Sequence, residues 1–227
     1  MIVSIFEYIS LISIKMTNKL AFLISMLIVS IAGISQKMIT DGTVNYNVSV
    51  VNGKDQPGIA EAFDGATLTV AIKGSMIRSD LNSKVRLQSI FFNAQSGTAV
   101  ILKESGTEKY MINLSAPQWE QYNRKYAGVK FDFTNDSKTI AGYNCKKASG
   151  TLKDGSAVTV YYAVDLKPVY QGYEYVFKDL PGLPLEYEIT TGTITVKYLA
   201  SSFVTTPVSA SRFDLPKSGY KLLDYKQ

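Results

Sequence analysis

A mainly β domain is predicted for this chain, with minor α content. The expected form is a single large curved antiparallel sheet, a half-open β-barrel of about eleven strands with one main helix. Three observations predict it. From Gly42 onward apolar residues recur at every second position, the period of a strand rather than a helix. Glycine-marked turns separate these short runs at hairpin spacing, as in an antiparallel meander. The period becomes helical at one place only, just after Ser115. A sheet of this size twists and needs its edges covered, so it curls, with the helix plugging or flanking the concave side.

Taken in order, Val44, Tyr46, Val48 and Val50 alternate with Asn45, Asn47 and Ser49, a half-buried strand that ends in the turn Val51-Asn52-Gly53-Lys54. Residues 54–65 carry proline, glycine and acids and read as a loop with a short helical piece at Ala60–Phe63. Leu68, Val70 and Ile72 alternate in the next strand, Gly74 breaks it, and Met76–Leu81 returns as a hairpin. Three more strands follow at Arg86–Asn93, Thr98–Lys103 and Glu108–Leu114, with Gly97 and Gly106 at the turns. Ser115 and Gln118 then make a capping-box pair, and Pro117 suits a first helical turn because its missing N–H costs little there. Trp119, Tyr122 and Tyr126 fall on one face of that helix.

After Gly128, Val129, Phe131 and Phe133 resume the alternation, and Asn135-Asp136-Ser137 reads as a turn. Lys138–Leu152 is one long strand or two, and Gly142 within it suggests a bulge or a close backbone approach. Asp154-Gly155 is a hairpin signal leading into Ala157–Val164. Residues 165–181 are looser. Leu185, Tyr187 and Ile189 then alternate with Glu186 and Glu188, and Thr191-Gly192 turns into Ile194–Phe203. The tail is punctuated by proline and glycine, with Leu222 and Leu223 expected to tuck against the body.

Residues 1–35 read as an N-terminal signal peptide. Leu20–Ile34 is uncharged and follows Lys19, and Gly33 and Ser35 are small residues at cleavage-site spacing. The run is short for a membrane span, which needs about 20 apolar residues, although an uncleaved anchor is the alternative. Met16-Thr17-Asn18-Lys19 makes a better leading segment than the fifteen residues before it, which marks Met16 as the expected start. Residues 36–227 are then one exported β-rich domain, periplasmic or secreted, with no membrane span after cleavage.

Composition removes whole classes of chemistry. The chain has no histidine, so it has no Ser-His-Asp triad, no Cys-His pair and no imidazole metal ligand. One cysteine, Cys145, excludes an internal disulfide and a thiolate zinc site; its strand-like neighbours place it in the core. No catalytic residue, cofactor or metal is expected. A net charge of +5 invites nucleic acid, but the lysines are scattered and the compartment is wrong, so a solvated surface is the reading.

Glu186 and Glu188 share one strand face about 7 Å apart, a spacing compatible with a carboxylate-dependent glycoside hydrolase, but their alternation with Leu185 and Tyr187 points to a solvated outer face. Asp41-Gly42, Asp64-Gly65 and Asp154-Gly155 lack the ligand spacing of a calcium loop and read as turns. The fifteen tyrosines and ten phenylalanines remain. They either fill the barrel as core or line an apolar cavity with polar handles for a lipid or acyl ligand. Trp119, Tyr122, Tyr126, Tyr143 and Tyr187 are the candidate ligand-binding residues.

Asp179-Leu180-Pro181-Gly182-Leu183-Pro184-Leu185-Glu186-Tyr187 resembles the motif of the GLPGLI-type secreted proteins and of a neighbouring domain family of unknown function. Leu68–Arg78, Ile140–Lys147 and Tyr161-Tyr162 followed by Asp165 are similar to the second family, and Pro184 departs from the isoleucine of the first. Neither family implies an activity or catalytic residues. The architecture is similar, by analogy, to the half-open barrels of periplasmic lipoprotein carriers. The function these readings favour is non-enzymatic binding of an apolar ligand, acyl chain or partner peptide on the concave face. The alternative is an envelope interaction module that pairs an exposed sheet edge with another protein.

Overall fold

Alternation builds the first half of the sheet. In the computed structural model, which describes residues 36–170 and 174–225, strand β2 (Asp41–Asn52) buries Val44, Tyr46, Val48 and Val50 and turns Asn47 to solvent. It follows a short strand, β1 (Lys37–Ile39), and precedes a single helical turn, α1 (Ile59–Phe63). Strands β3 (Thr67–Lys73), β4 (Met76–Asn82), β5 (Leu87–Asn93), β6 (Thr98–Ser105) and β7 (Glu108–Leu114) then run as successive antiparallel hairpins. Their register lines up Val44, Val70, Ser79, Ile90, Ile101 and Ile112 in one row across the sheet. Period-two patterning fixes that row, because a slip of one residue would send every member to the opposite face.

The capping box forms as the sequence indicates. The Ser115 N–H donates to Gln118 Oε1 at 2.9 Å, and helix α2 spans Ala116–Tyr122. A 3-10 turn at Arg124–Tyr126 completes the segment. The second half of the sheet comprises β8 (Phe131–Ile140), β9 (Tyr143–Thr151), β10 (Ala157–Ala163), β12 (Leu183–Thr191) and β13 (Ile194–Val204). Between β10 and β12 lie β11 (Leu166–Pro168) and a 3-10 turn at Tyr175–Phe177.

Strand β13 pairs antiparallel with β2 and joins the halves, and a last strand, β14 (Lys221–Leu223), runs parallel to β7. The resulting twelve-stranded order is β14-β7-β6-β5-β4-β3-β2-β13-β12-β10-β9-β8, with β1 and β11 as a separate parallel pair. Both ends of the order are free, so the barrel is half-open rather than closed. Curvature follows from the packing: Trp119 of α2 stacks on Phe92 of β5, while Phe177 meets Tyr187 of β12 and Phe131 of β8. Elements on the concave side therefore reach both wings of one sheet. The signal-peptide and Met16 readings fall outside the described residues. Residues 36–227 form one compact unit.

Several local expectations are corrected. Asn135-Asp136-Ser137 is not a turn. It lies within β8, where a shift in register between Phe133 and Ser137 absorbs the polar residues as a bulge. Residues 138–152 divide at Ala141-Gly142, a two-residue hairpin with φ of 48° and 85°, so Gly142 serves a tight turn rather than a bulge or a close approach. Asp41 and Gly42 open β2 instead of forming a turn. Leu222 and Leu223 do not tuck away, being 65% and 41% exposed on the edge strand. Glu186 is buried rather than solvated.

Gly182 explains much of the stretch before β12. A Cβ there would overlap the Ala163 carbonyl oxygen and stand 2.9 Å from Tyr162 Cδ2, so the backbone of β10 lies directly against it. Leu180, Leu183 and Leu185 are fully buried on either side, each contributing about 1.5–3 kcal/mol of apolar burial. The Pro184 carbonyl accepts a 2.7 Å hydrogen bond from the Tyr46 hydroxyl of β2.

Candidate functional site

The concave side is mostly filled by aromatic rings, and a cleft of about 200 Å³ remains. Its floor is Leu68, Ser79, Leu81 and Ile90 from β3, β4 and β5. One wall is Trp119, Tyr122 and Asn123 of the helical segment with Tyr126 of the following turn; the other is Tyr187 and Ile189 of β12 with Tyr198 of β13. Glu174, Tyr175 and Val176 close the remaining side.

The rings brace one another. Trp119 lies between Phe92 at 5.3 Å and Tyr122 at 5.7 Å, both near-parallel, and Tyr187 stacks on Tyr198 at 4.5 Å. Offset or edge contacts of this kind add about 0.5–1.5 kcal/mol each beyond area burial, which holds the walls in place without the need of a guest.

Of the candidate residues, Trp119, Tyr122, Tyr126 and Tyr187 come together in this cleft. Tyr143 does not join them: it sits beside the β8–β9 hairpin and packs edge-on against Phe203, 5.8 Å away. Its place in an interrupted strand could not distinguish one end of the sheet from the other. Reading the sequence missed Tyr198, Tyr175 and Glu174. Tyr198 was visible only as one alternating residue among many, and the other two lie in the loose stretch where no period constrains them.

The polar groups of the cleft are unusual. Trp119 is 4% exposed, and its indole N–H has no hydrogen-bond partner among the described residues. Burying such a donor unpaired costs about 1–3 kcal/mol. Glu174 is half-buried as a residue, yet its carboxyl is enclosed densely enough that loss of water alone pushes it up to about 7. Burial raises the Tyr198 hydroxyl, with a further contribution from the nearby Glu174 charge, and burial likewise raises Tyr122. Among the described residues no hydrogen bond or ion pair reaches the Glu174 carboxyl, while its backbone carbonyl accepts from the Phe177 N–H at 2.8 Å.

A second charged cluster lies on the opposite sheet face, around Lys138, Lys147, Tyr161, Glu186 and Glu188. Glu186 accepts from Lys138 at 2.7 Å and Lys197 at 2.8 Å, and Lys197 also reaches Glu188 at 3.3 Å. Burial works to raise the Glu186 carboxyl, but the two ammonium groups outweigh it and hold the group below its usual range. The two acids thus share a face as the spacing requires, while Glu186 is a locked counter-ion, poorly suited to donate a proton. Cys145 is fully buried, and loss of water pushes its thiol up to about 11, the setting of an inert core cysteine. Among the described residues, no group of histidine, cysteine, aspartate or glutamate is placed to hold a metal ion, and no helix is long and apolar enough to cross a membrane.

No protein-family description and no curated protein matches the chain, so the GLPGLI resemblance finds no support there. Among solved structures the chain is similar to PNGF-II, at 16% identity over 82% of this chain and 31% of that one, with a TM-score of 0.49. It is similar to the MucA/MucB complex structure of Pseudomonas aeruginosa at 9% identity, 78% and 56% coverage and a TM-score of 0.39. It is also similar to the lipoprotein LppX of Mycobacterium tuberculosis at 12% identity, 75% and 89% coverage and a TM-score of 0.33. The chain spans about a third of the first of these chains and just over half of the second.

Proposed function

We propose that this chain is an exported, non-enzymatic binding protein that holds one side-chain-sized group of a ligand or partner peptide in the concave cleft. The observation that carries the reading is a cleft of about 200 Å³ on the concave side, walled by aromatic rings that brace one another. The volume sets the size of the guest. Pockets for drug-sized ligands run to about 300–1,000 Å³, whereas a cavity of about 150 Å³ suffices for benzene. A space of about 200 Å³ suits a single aryl or short acyl group, not the whole of a long acyl chain. Among the described residues only one carboxylate lines the cleft and no nucleophile stands beside a base there, which supports binding over catalysis.

The edge-pairing alternative has weaker support. Edge strand β8 is long and exposed, but it is bulged and carries Asp132, Asp136 and Lys138, and β14 is only three residues long. Both are devices that discourage strand addition. Trp119 is the single tryptophan, so its emission reports on the cleft directly. Titration of the purified protein with uncharged short-chain acyl amides and with phenol-sized aryl probes should give a saturable change in that emission. Silence toward every probe, with calorimetry agreeing, removes the reading.

A further inference from the structure

The charge of the guest follows from the groups left unpaired around the cleft, an inference that rests on the binding reading above. We propose that the cleft recognises a cationic group, an alkylammonium between tetramethylammonium and a lysine side chain in size, held against the Glu174 carboxylate among the rings of Trp119, Tyr122, Tyr126 and Tyr198.

Glu174 is the only charged residue among the described residues that line the cleft. No ion pair reaches it among the described residues, and its titration responds to burial alone. A neutral guest would leave that carboxyl without a counter-charge, and an anionic guest would be repelled. A cation supplies what the described residues do not. The walls are equally suited to one: Tyr122, Tyr126, Tyr175, Tyr187 and Tyr198 line the space, Trp119 braces them from between Phe92 and Tyr122, and electron-rich rings attract cations most strongly where water is excluded.

The nearby protein cations are committed elsewhere. Lys125 lies 4.7 Å from the centre of the Tyr126 ring, Lys178 lies 5.0 Å from Tyr175, and Arg86 sits 5.3 Å over Phe63. Arg86 and Lys125 are exposed; they bear on Tyr198 and Tyr122 respectively, without pairing with Glu174.

The test uses Trp119 emission at constant ionic strength, with tetramethylammonium chloride, choline chloride, N-acetyl-lysine methylamide, and 3,3-dimethylbutan-1-ol as the neutral isostere of choline. The expected result is saturable binding of the cations, with the neutral isostere weaker by about tenfold or more. Glu174→Gln should lose about tenfold toward the cations and nothing toward the isostere. Tyr198→Leu should lose affinity where Tyr198→Phe retains it. Circular dichroism and thermal midpoints confirm that each variant is folded. Tighter binding of the lysine derivative assigns a peptide-borne cation, and tighter binding of choline a free one; either supports the proposal. Equal affinity for the isostere, or an unaffected Glu174→Gln variant, overturns it and leaves the binding reading intact. A response to aryl or acyl probes but to no cation does the same, whereas silence toward both sets overturns both.

Discussion

Replacing Gly182 with alanine adds one methyl group at a point where the chain has no room for it. The new Cβ would overlap the carbonyl oxygen of Ala163 and lie 2.9 Å from Tyr162 Cδ2 and 3.0 Å from the Ala163 carbonyl carbon. The obstacle is backbone, so no side-chain rotation relieves it. Ala163 pairs with Leu183 and Tyr162 with Pro184, so moving the oxygen away opens the end of the β10–β12 ladder. Overpacking of this kind costs about 1–3 kcal/mol, and one weakened ladder hydrogen bond adds about 1 kcal/mol. The sum is about 2–4 kcal/mol. For a domain of this size each kcal/mol moves the midpoint by about 2–4 °C, so Gly182→Ala should melt roughly 10 °C below the parent. Gly142→Ala is the matched control. Gly142 has φ of 85° but nothing within 4 Å of its virtual Cβ, so only left-handed backbone strain of about 1–2 kcal/mol applies. Urea and thermal unfolding followed by circular dichroism measure both. A Gly182→Ala protein within about 0.5 kcal/mol of the parent, or one more stable than Gly142→Ala, refutes the close-approach argument.

Glu186→Gln removes the shared counter-ion of Lys138 and Lys197. Buried pairs broken on one side cost about 3–5 kcal/mol, but both lysines keep about a third of their surface in water, so urea unfolding at pH 7 should show about 1–2 kcal/mol. Because the folded Glu186 carboxyl is held below its usual value, its contribution is present above pH 4.5 and is lost as pH falls through the folded value; the variant should lack that part of the acid slope. Glu174 acts with the opposite sign. Its folded value, about 7, lies above the ordinary 4.5, so stability is greatest below pH 4.5 and declines as pH rises through 7, by about 2–3 kcal/mol. Glu174→Gln should flatten that decline in urea titrations between pH 5 and 8, and an unchanged slope counts against burial of the carboxyl. Cys145 should resist a thiol-specific reagent such as Ellman's reagent at pH 8 until denaturant is added, because the thiolate form is suppressed and the sulfur has no exposed surface; stoichiometric labelling of the native protein would contradict its placement.

The meander from β2 to β7 was readable because each strand buries one face, and period-two patterning then reports strand and face together. The capping box gave the helix start for the same reason: a local pattern with a local cause. Long-range and edge features were not readable. The β13–β2 pairing joins segments about 150 residues apart, and no local signal specifies it. The polar run Thr134-Asn135-Asp136 has turn composition, yet as a bulge on an edge strand it meets solvent just as well. Glu186 alternates like a solvated residue, and only the lysines brought in from β8 and β13 make its burial tolerable.

The aromatic content posed core and cavity as alternatives, and the geometry makes them parts of one arrangement. A half-open sheet of twelve strands curls too widely for strand side chains alone to fill its hollow, so helix α2, the 3-10 turn after it and the 3-10 turn before β12 bring in Trp119, Tyr122, Tyr126 and Phe177. Those rings fill most of the volume and leave about 200 Å³. What remains is set by rigid walls on three sides and by the segment carrying Glu174 on the fourth, a stretch with no strand pairing of its own. Guest size is thus fixed by the stacked rings, while guest charge is fixed by one carboxyl. Enlarging the hollow by Tyr122→Ala should therefore admit bulkier guests without changing the preference for cations, and Glu174→Gln should change that preference without changing size selection. Competition between tetramethylammonium and tetraethylammonium, followed by Trp119 emission, separates the two effects. A single variant that shifts both would show that size and charge are not independently determined, and would undo this division of roles.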